Sequence, residues 1–414
     1  MSQTLSRAQF LRLTASALPV LFWSRRGEAQ SSRAQRRERI ADVLRMYHLQ
    51  GSHRTATTVD AESGQWLARE ASRLGATVTP RSFRLDRVDL RACSVDHAGT
   101  TREGLPFFDG GFTSADGVRG RLGVPGSGAP IVWTTLDQAA ISSEGQSIAA
   151  LRRDPSVRAL VAVTEGGEAG LCPSNAVSFL IPYGVPVLQV SSTAKDWLAD
   201  LARSDAEIHL TANAVRSPAS ADNITASIRG KRPDLAPVVV MTPRSGWWQC
   251  VSERGGGLAC WLEIVRAVAD ARPDRTVRFL ASSGHELGHL GLDTFLHEEP
   301  ALIKGAWAWL HLGANIGAAG GRLRLQASAD DIEALAVSAM QKASARVDGR
   351  VARGTVPAGE ARNIHVGGGR YVSMLGSGPY FHNPLDLWPH AVDMDALTSY
   401  AEAATNLTLT LAQV

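Results

Sequence analysis

Short apolar segments of strand length alternate with helix-like segments through the second half of the chain, and this alternation limits the possible folds more than any other feature. The hydrophobic pattern predicts strands over residues 224–228, 238–241, 277–281 and 306–312, with a long helix over 258–271. Strands that alternate with helices favour a mixed, mainly parallel sheet covered by helices on both faces. In such an α/β fold, ligands bind at the carboxyl ends of the strands.

Residues 91–215 differ in pattern from the sequence on either side. The segment predicts strands at 129–134, 159–164 and 181–191 and helices at 145–153 and 194–202, with few clustered His, Asp or Glu residues. We therefore expect an accessory domain over 91–215, inserted into a core made of 37–90 and 216–414. A length of 414 residues agrees with this division, because one domain typically takes roughly 100–200 residues.

Residues 1–30 are expected to be an export signal. Arg7 and Arg12 precede an apolar run over 13–23, which is too short to cross a membrane as a helix, and Gly27-Glu28-Ala29 is a small-x-small cleavage pattern. The start resembles a twin-arginine signal in which Ala8 replaces the second arginine. We expect a periplasmic or secreted protein with no integral membrane segment in the mature chain, and a cytoplasmic protein is the alternative.

The charge and cysteine content exclude several classes of protein. Lys and Arg total 43 against 40 Asp and Glu, and past residue 40 the basic residues are scattered, which argues against nucleic-acid binding. Four cysteines in 414 residues cannot form a disulfide scaffold. Cys250 with Cys260, and Cys93 with Cys172, remain possible pairs, and free thiols are the alternative.

The string Gly284-His285-Glu286-Leu287-Gly288-His289 contains an H-E-x-x-H pattern. On a helix, His285 and His289 would share a face and could bind zinc while Glu286 activated water. The string directly follows a predicted buried strand, however, so a strand-to-helix turn is expected. The third histidine of a metzincin is also missing, since Phe295 stands at its position.

Several landmarks after residue 222 follow one another in a recognisable order. They are the strand Asn223-Ile-Thr-Ala-Ser-Ile-Arg-Gly230, the strand end Met241-Thr-Pro-Arg-Ser245, the helix start Ser252-Glu-Arg-Gly-Gly-Gly257, the turn Phe279-Leu-Ala-Ser-Ser-Gly-His-Glu-Leu-Gly-His-Leu-Gly291 and the segment Tyr380-Phe-His-Asn-Pro-Leu-Asp386. Their order resembles the co-catalytic zinc exopeptidases of metallopeptidase family twenty-eight. Residues 91–215 resemble the protease-associated domain that such enzymes often carry, especially Val185-Pro-Val-Leu-Gln-Val-Ser-Ser192.

The resemblance implies that one of the family's two metal sites is lost. The first-site histidine falls on Thr242, the aspartate that orients it on Arg244, and the first-site aspartate on Ala314. A guanidinium close to the vacated position would repel a second cation. A mechanism with two clamping metals is therefore not expected.

The second metal site keeps a complete set of ligands by the same resemblance. Glu253 corresponds to the bridging aspartate, Glu286 to the second-site glutamate and His382 to the terminal histidine. These three would hold one zinc ion and leave an open position for water. His285 replaces the general-base glutamate, and Arg244 would receive a substrate carboxylate or a polarised carbonyl.

These residues leave three functions open. The first is a divergent hydrolase of amide or peptide bonds in peptides or small amides, with at most one zinc ion. The second is an inactive pseudopeptidase that binds a partner without metal, in which Arg244 pairs with Glu253 or Glu286. The third is a metal-free enzyme that uses His285, Glu286 and Arg244. The residues expected to support the ligands or contact the substrate are His289, Thr242, Trp247, Asn315 and Asp386.

Overall fold

The computed structural model describes residues 32–138 and 147–413. The predicted export signal lies outside these residues, and the helix predicted over 145–153 begins outside them. Within the described part of the chain, no helix is both long and apolar enough to cross a membrane.

The predicted strands and helices occur in the expected order along the chain, together with further elements that the hydrophobic pattern did not predict. The helices are α1 (residues 32–50), α2 (Thr58–Arg73), α3 (Ser147–Leu151), α4 (Lys195–Arg203), α5 (Gly256–Ala271), α6 (Leu290–Glu298), α7 (Pro300–Gly305), α8 (Asp330–Lys342), α9 (Ala361–Val366) and α10 (Met394–Gln413). The strands are β1 (Thr77–His97), β2 (Thr100–Pro106), β3 (Val118–Gly123), β4 (Ile131–Asp137), β5 (Ala159–Glu165), β6 (Val187–Val190), β7 (Glu207–Ile228), β8 (Val238–Pro243), β9 (Val277–Ser282), β10 (Ala308–Leu312), β11 (Arg322–Ala327), β12 (Gly349–Arg350) and β13 (Tyr371–Ser377).

The core sheet has the strand order β7-β9-β8-β10-β13-β11-β12. Strands β9, β8, β10 and β13 run parallel to each other, and β7 and β11 pair antiparallel at either side of them. The expected α/β fold with a mixed, mainly parallel sheet is therefore confirmed. Because β9, β10 and β13 are parallel neighbours or near neighbours, the loops that follow them meet at one edge.

Two long strands connect this core sheet to a second set of strands. β1 and β7 pair antiparallel from Thr77 opposite Ser227 to Asp96 opposite His209. The second set closes a circuit of pairings in the order β1-β2-β6-β5-β4-β3-β7. The boundaries predicted near residues 90 and 215 fall inside these two continuous strands, and the inserted protease-associated domain stays a prediction.

Helix α5 lies in the centre of the main hydrophobic core. Leu258, Trp261 and Val265 are fully buried there and pack with residues of the core sheet and of α10. The helix starts so close to the loop after β10 that a Cβ added to Gly256 would lie 2.1 Å from the carbonyl oxygen of Ile316. The glycines at 256 and 257 are therefore needed for close packing at the edge that carries the site.

The four cysteines are free thiols. Cys172, Cys250 and Cys260 are buried, and Cys93 is half-buried. Burial raises the pKa of the Cys172 thiol to about 11. Neither of the two possible disulfide pairs is formed.

His53 lies in the connection between α1 and α2 and has no exposed surface. Its ring stacks on Tyr47 with 3.6 Å between ring centroids, and its Nε2 lies 2.9 Å from the Tyr47 carbonyl oxygen. Burial, opposed by that hydrogen bond and reinforced by Arg244, lowers the pKa of His53 to about 3.

We predict that His53 makes the protein less stable in acid. An unfolded histidine binds a proton below about pH 6.5, whereas the folded His53 stays neutral until about pH 3, so stability is lost as the pH falls through this window. Urea unfolding at pH 7, 6 and 5 checks this. The free energy of unfolding should fall more steeply in the wild type than in His53→Gln, and equal slopes would contradict the assignment.

Candidate active site

A cavity of about 670 Å³ opens at the carboxyl ends of the parallel strands. Its lining includes His285 and His289 after β9, Ala314 and Asn315 after β10, and the end of β13. Gln138 and Asn175, from the segment predicted as an insertion, also line it. The cavity therefore lies where the fold class predicts a ligand site.

The H-E-x-x-H string forms a tight turn and not an α-helix. Only His285–Leu287 is helical, as a single 3₁₀ turn, and Gly284, Gly288 and His289 have φ of +85°, +77° and +69°. This turn still brings the His285 and His289 rings to 5.0 Å between centroids. The expected strand-to-helix turn is present, and it brings the two imidazoles together without helical spacing.

Glu360, from a distant loop, contacts His285 and a third histidine, His311. Its Oε1 lies 2.5 Å from Nδ1 of His285, and its Oε2 lies 3.2 Å from Nε2 of His311 on β10. Although burial raises the pKa of this carboxyl, the nearby His285 and His289 bring it well below its usual value. Glu360 is therefore an ionised carboxylate, buried on the wall of the cavity.

The His285 and His289 rings are each held through Nδ1. Nδ1 of His285 donates to Glu360, and Nδ1 of His289 lies 2.9 Å from Oδ1 of Asn363, which leaves the Nε2 atoms for other partners. Burial and the nearby Arg254 lower the pKa of His285 to about 4, so its imidazole is neutral at pH 7. A neutral imidazole with its second nitrogen held by a carboxylate or amide is the form that ligates metals.

His285, His289 and Glu360 together could hold a metal ion. Each offers one ligand atom, and these atoms lie within 4.8 Å of one another. Among the residues that the structure describes, this is the one group of three or more His, Cys, Asp or Glu side chains so arranged. Two imidazoles and a carboxylate are a donor set that zinc accepts.

Glu253 and His382 also lie together, as the resemblance implies, but a cation already contacts Glu253. Nη2 of Arg254 lies 2.5 Å from Oε1 of Glu253, while Nε2 of His382 lies 3.6 Å from the same oxygen. Burial raises the pKa of Glu253, but the charges of Arg254, His382 and His285 and a hydrogen bond from the His382 amide together lower it overall. The guanidinium thus supplies the positive charge next to this carboxylate.

Sequence reasoning missed both Arg254 and Glu360. Arg254 directly follows the predicted ligand Glu253 in the helix start Ser252-Glu-Arg-Gly-Gly-Gly257, so the sequence contained a usable signal for it. A π-helical turn over Val251–Gly255 carries Glu253 and Arg254 into the buried site. Glu360 stands in no motif, and its role follows only from the contacts across the fold.

Glu286 has different partners from the other two predicted ligands. Its Oε1 accepts hydrogen bonds from the Thr55 amide at 2.7 Å and the Thr55 hydroxyl at 2.6 Å, and its Oε2 accepts from Ser245 Oγ at 2.8 Å. Burial raises the pKa of Glu286. Glu253 and His382 lie together, whereas the carboxylate of Glu286 is hydrogen-bonded to Thr55 and Ser245. The ligand set Glu253, Glu286 and His382 stays a prediction.

Arg244 is buried in an ion pair outside the cavity wall. Its Nη1 lies 2.8 Å from Oδ1 of Asp60, and its guanidinium also donates to the carbonyl oxygens of Asp60 and Asp222. The side chain of Arg244 is 1% exposed. Its ion-pair partner is Asp60, and not Glu253 or Glu286 as considered from the sequence. It does not line the cavity, where a substrate carboxylate would have to reach it.

The remaining predicted residues support the loops around the site. Thr242 Oγ1 donates to the Leu312 carbonyl oxygen at 2.8 Å, and Trp247 Nε1 donates to Asn175 Oδ1 at 3.2 Å. Asp386 accepts from the amides of Ser252 and Glu253 at 2.7 and 2.9 Å, and burial raises its pKa to about 7. Asn315 lines the cavity, and its buried Oδ1 accepts no hydrogen bond from a described residue.

No protein-family model and no curated protein matches this sequence. Solved structures do match. A zinc aminopeptidase from Bacillus subtilis aligns with a TM-score of 0.73 and 15% identity, over 92% of this chain and 95% of its own. A peptidase M28 precursor from Shewanella amazonensis gives 0.73 and 15%, over 93% and 97%. The chain has a zinc-exopeptidase-like fold.

An aminopeptidase from an Aneurinibacillus strain has the same fold, with a TM-score of 0.67 and 15% identity, over 91% of this chain and 94% of its own. The alignments extend over nearly all of this chain and of each neighbour. At 15% identity, this similarity shows that the fold is shared and does not extend to the reaction.

We predict that Arg254→Met destabilises the protein by about 3 kcal/mol or more, because it leaves the buried Glu253 carboxylate without its ion pair. Urea unfolding measures the change. The matched control is Arg203→Met, which removes an exposed ion pair with Asp200 and should cost about 1 kcal/mol or less. Equal small losses in the two variants would contradict the role given to Arg254.

Proposed function

We propose that this protein hydrolyses an amide or peptide bond and that it uses one metal ion, zinc, and not two. The ion would be held by His285, His289 and Glu360. The observation that carries the proposal is that these three side chains form a ligand group on the wall of the large cavity. Among the described lining residues, they are also the only acid–base groups besides three arginines.

A second metal does not fit the residues on the Glu253 side. Arg254 already pairs with Glu253, Thr242 donates to a backbone carbonyl, and Ala314 has no ligand atom. A divalent cation placed at Glu253 would be repelled by the guanidinium 2.5 Å from its carboxylate. The chemistry is therefore proposed for the Glu360 side of the site.

The residues of the chain position the reactants at this group. A bound zinc ion would polarise the scissile carbonyl and lower the pKa of a water molecule. Asn363 holds the His289 ring in place, and the unpartnered Oδ1 of Asn315 would accept a hydrogen bond from a substrate N–H. Water must lose a proton and the leaving nitrogen must gain one, and we assign this transfer to the carboxylate oxygen of Glu360 that would not hold the ion.

The metal-free reaction remains the second candidate, and one contact favours it. The 2.5 Å bond from His285 to Glu360 holds an imidazole with its Nε2 lone pair free, which is the arrangement of a general base oriented by a carboxylate. The ion pair between Arg254 and Glu253 favours the inactive pseudopeptidase, because the guanidinium takes the place of a metal ion beside this carboxylate. Both alternatives predict that purified protein contains no zinc.

The proposed place of action is outside the cytoplasm. The support is the pattern of residues 1–30, in which an arginine-flanked apolar run precedes a small-x-small cleavage pattern.

We predict that zinc binds at about one equivalent per chain. Protein purified without chelator and reloaded with zinc should lose this equivalent in His289→Ala and keep it in His382→Ala, because only the first removes a proposed ligand. Elemental analysis of dialysed protein measures both. Zinc retained in His289→Ala and lost in His382→Ala would favour Glu253, Glu286 and His382 as the ligands.

We predict that Glu360→Gln lowers kcat/KM for peptide hydrolysis about 100-fold or more, since it removes the charge that holds His285. A panel of dipeptides provides the assay, and His297→Ala is the control, because His297 is exposed on α6. Full activity in Glu360→Gln would rule out this centre.

A further inference from the structure

Three arginines line the cavity alongside the His285–His289–Glu360 group. They are Arg322 and Arg324 on β11 and Arg362 on α9. All three are exposed, and none forms an ion pair with a carboxylate in the described part of the chain. Among the lining residues that the structure describes, the only carboxylate is that of Glu360, which is already bonded to His285 and His311.

The positions of Arg322 and Arg324 follow from the pattern of β11. Leu323 and Leu325 are buried in the core, so the two arginines alternate with them on the opposite face of the strand. In the antiparallel pairing with β13, Arg322 is opposite Ser377 and Arg324 is opposite Leu375, and these two partners also line the cavity. The register therefore places both guanidinium groups along one wall of the cavity.

Arg322 and Arg324 keep most of the positive charge of this wall. Asp348 interacts electrostatically with Arg322, but its carboxylate pairs with Arg346. Asp293 interacts electrostatically with Arg362 and offsets part of its charge. Apart from the arginines and the His285–His289–Glu360 group, the described lining consists mainly of glycine, alanine, proline and amide side chains.

We infer that the cavity accepts a substrate with a carboxylate group close to the bond that is cleaved, such as an acidic peptide. Guanidinium groups bind carboxylates through paired N–H donors, and two arginines on one strand can contact a single anionic side chain or chain terminus. The inference rests on the proposed function for the identity of the reaction, and on the arginine wall alone for the charge of the ligand.

Binding of glutarate tests the charge of the ligand without any reaction. Calorimetry at low ionic strength should show that the protein binds glutarate but not its neutral diamide, glutaramide. The double variant Arg322→Gln/Arg324→Gln should bind glutarate about tenfold more weakly. Arg84→Gln is the control, because Arg84 is exposed on β1 and lies outside the cavity lining. Equal binding of glutarate and glutaramide, or an unchanged affinity in the double variant, would overturn the inference.

Phosphate binding and dipeptide hydrolysis are measured as well, to separate failure of this inference from failure of the proposed function. Inorganic phosphate that binds in place of glutarate and is lost in the double variant would overturn the carboxylate class. For hydrolysis, kcat/KM for Ala-Glu should exceed that for Ala-Gln, and the double variant should remove the difference. Hydrolysis without this preference would overturn the inference and leave the proposed function standing. Glutarate binding without any hydrolysis would support the inference and overturn the proposed function.

Discussion

The buried carboxylate of Glu360 is the contact on which the rest of the site depends. It bonds to His285, which follows β9, and to His311, which lies within β10, so one side chain connects two parallel strands on either side of β8 to the loop before α9. An ionised carboxylate with almost no exposure is costly unless it is fully bonded, and these two imidazoles supply the partners. The same bonds fix the His285 ring next to His289.

Two buried ion pairs disfavour metal binding on the Glu253 side of the site. Arg254 beside Glu253, and Arg244 beside Asp60, place two guanidinium groups among the loops where a two-metal enzyme would need a surplus of carboxylates. Both pairs are almost completely buried, so their charges are poorly screened by water. The Glu360 side combines two imidazoles with a carboxylate and faces a large cavity.

The sheet could be predicted because its strands are short segments rich in apolar residues, such as 238–241 and 277–281, which correspond to Val238–Pro243 and Val277–Ser282. Strand bounds and site residues that depend on packing between distant parts of the chain were predicted less well. The strand expected over 181–191 is limited to Val187–Val190, since Pro182 and Pro186 cannot donate ladder hydrogen bonds. Glu360 is 75 residues from His285 and follows no motif, so no local pattern could connect them. His285 and His289 were recognised as a possible zinc pair, but the left-handed turn that joins them depends on two glycines and the surrounding loops.

Anomalous diffraction at the zinc edge, from crystals of protein loaded with zinc, tests the central claim most directly. We expect a single anomalous peak within bonding distance of His285, His289 and Glu360, and no anomalous peak between Glu253 and His382. Two peaks, or one peak at Glu253 and His382, or the absence of any peak in fully loaded protein, would contradict it.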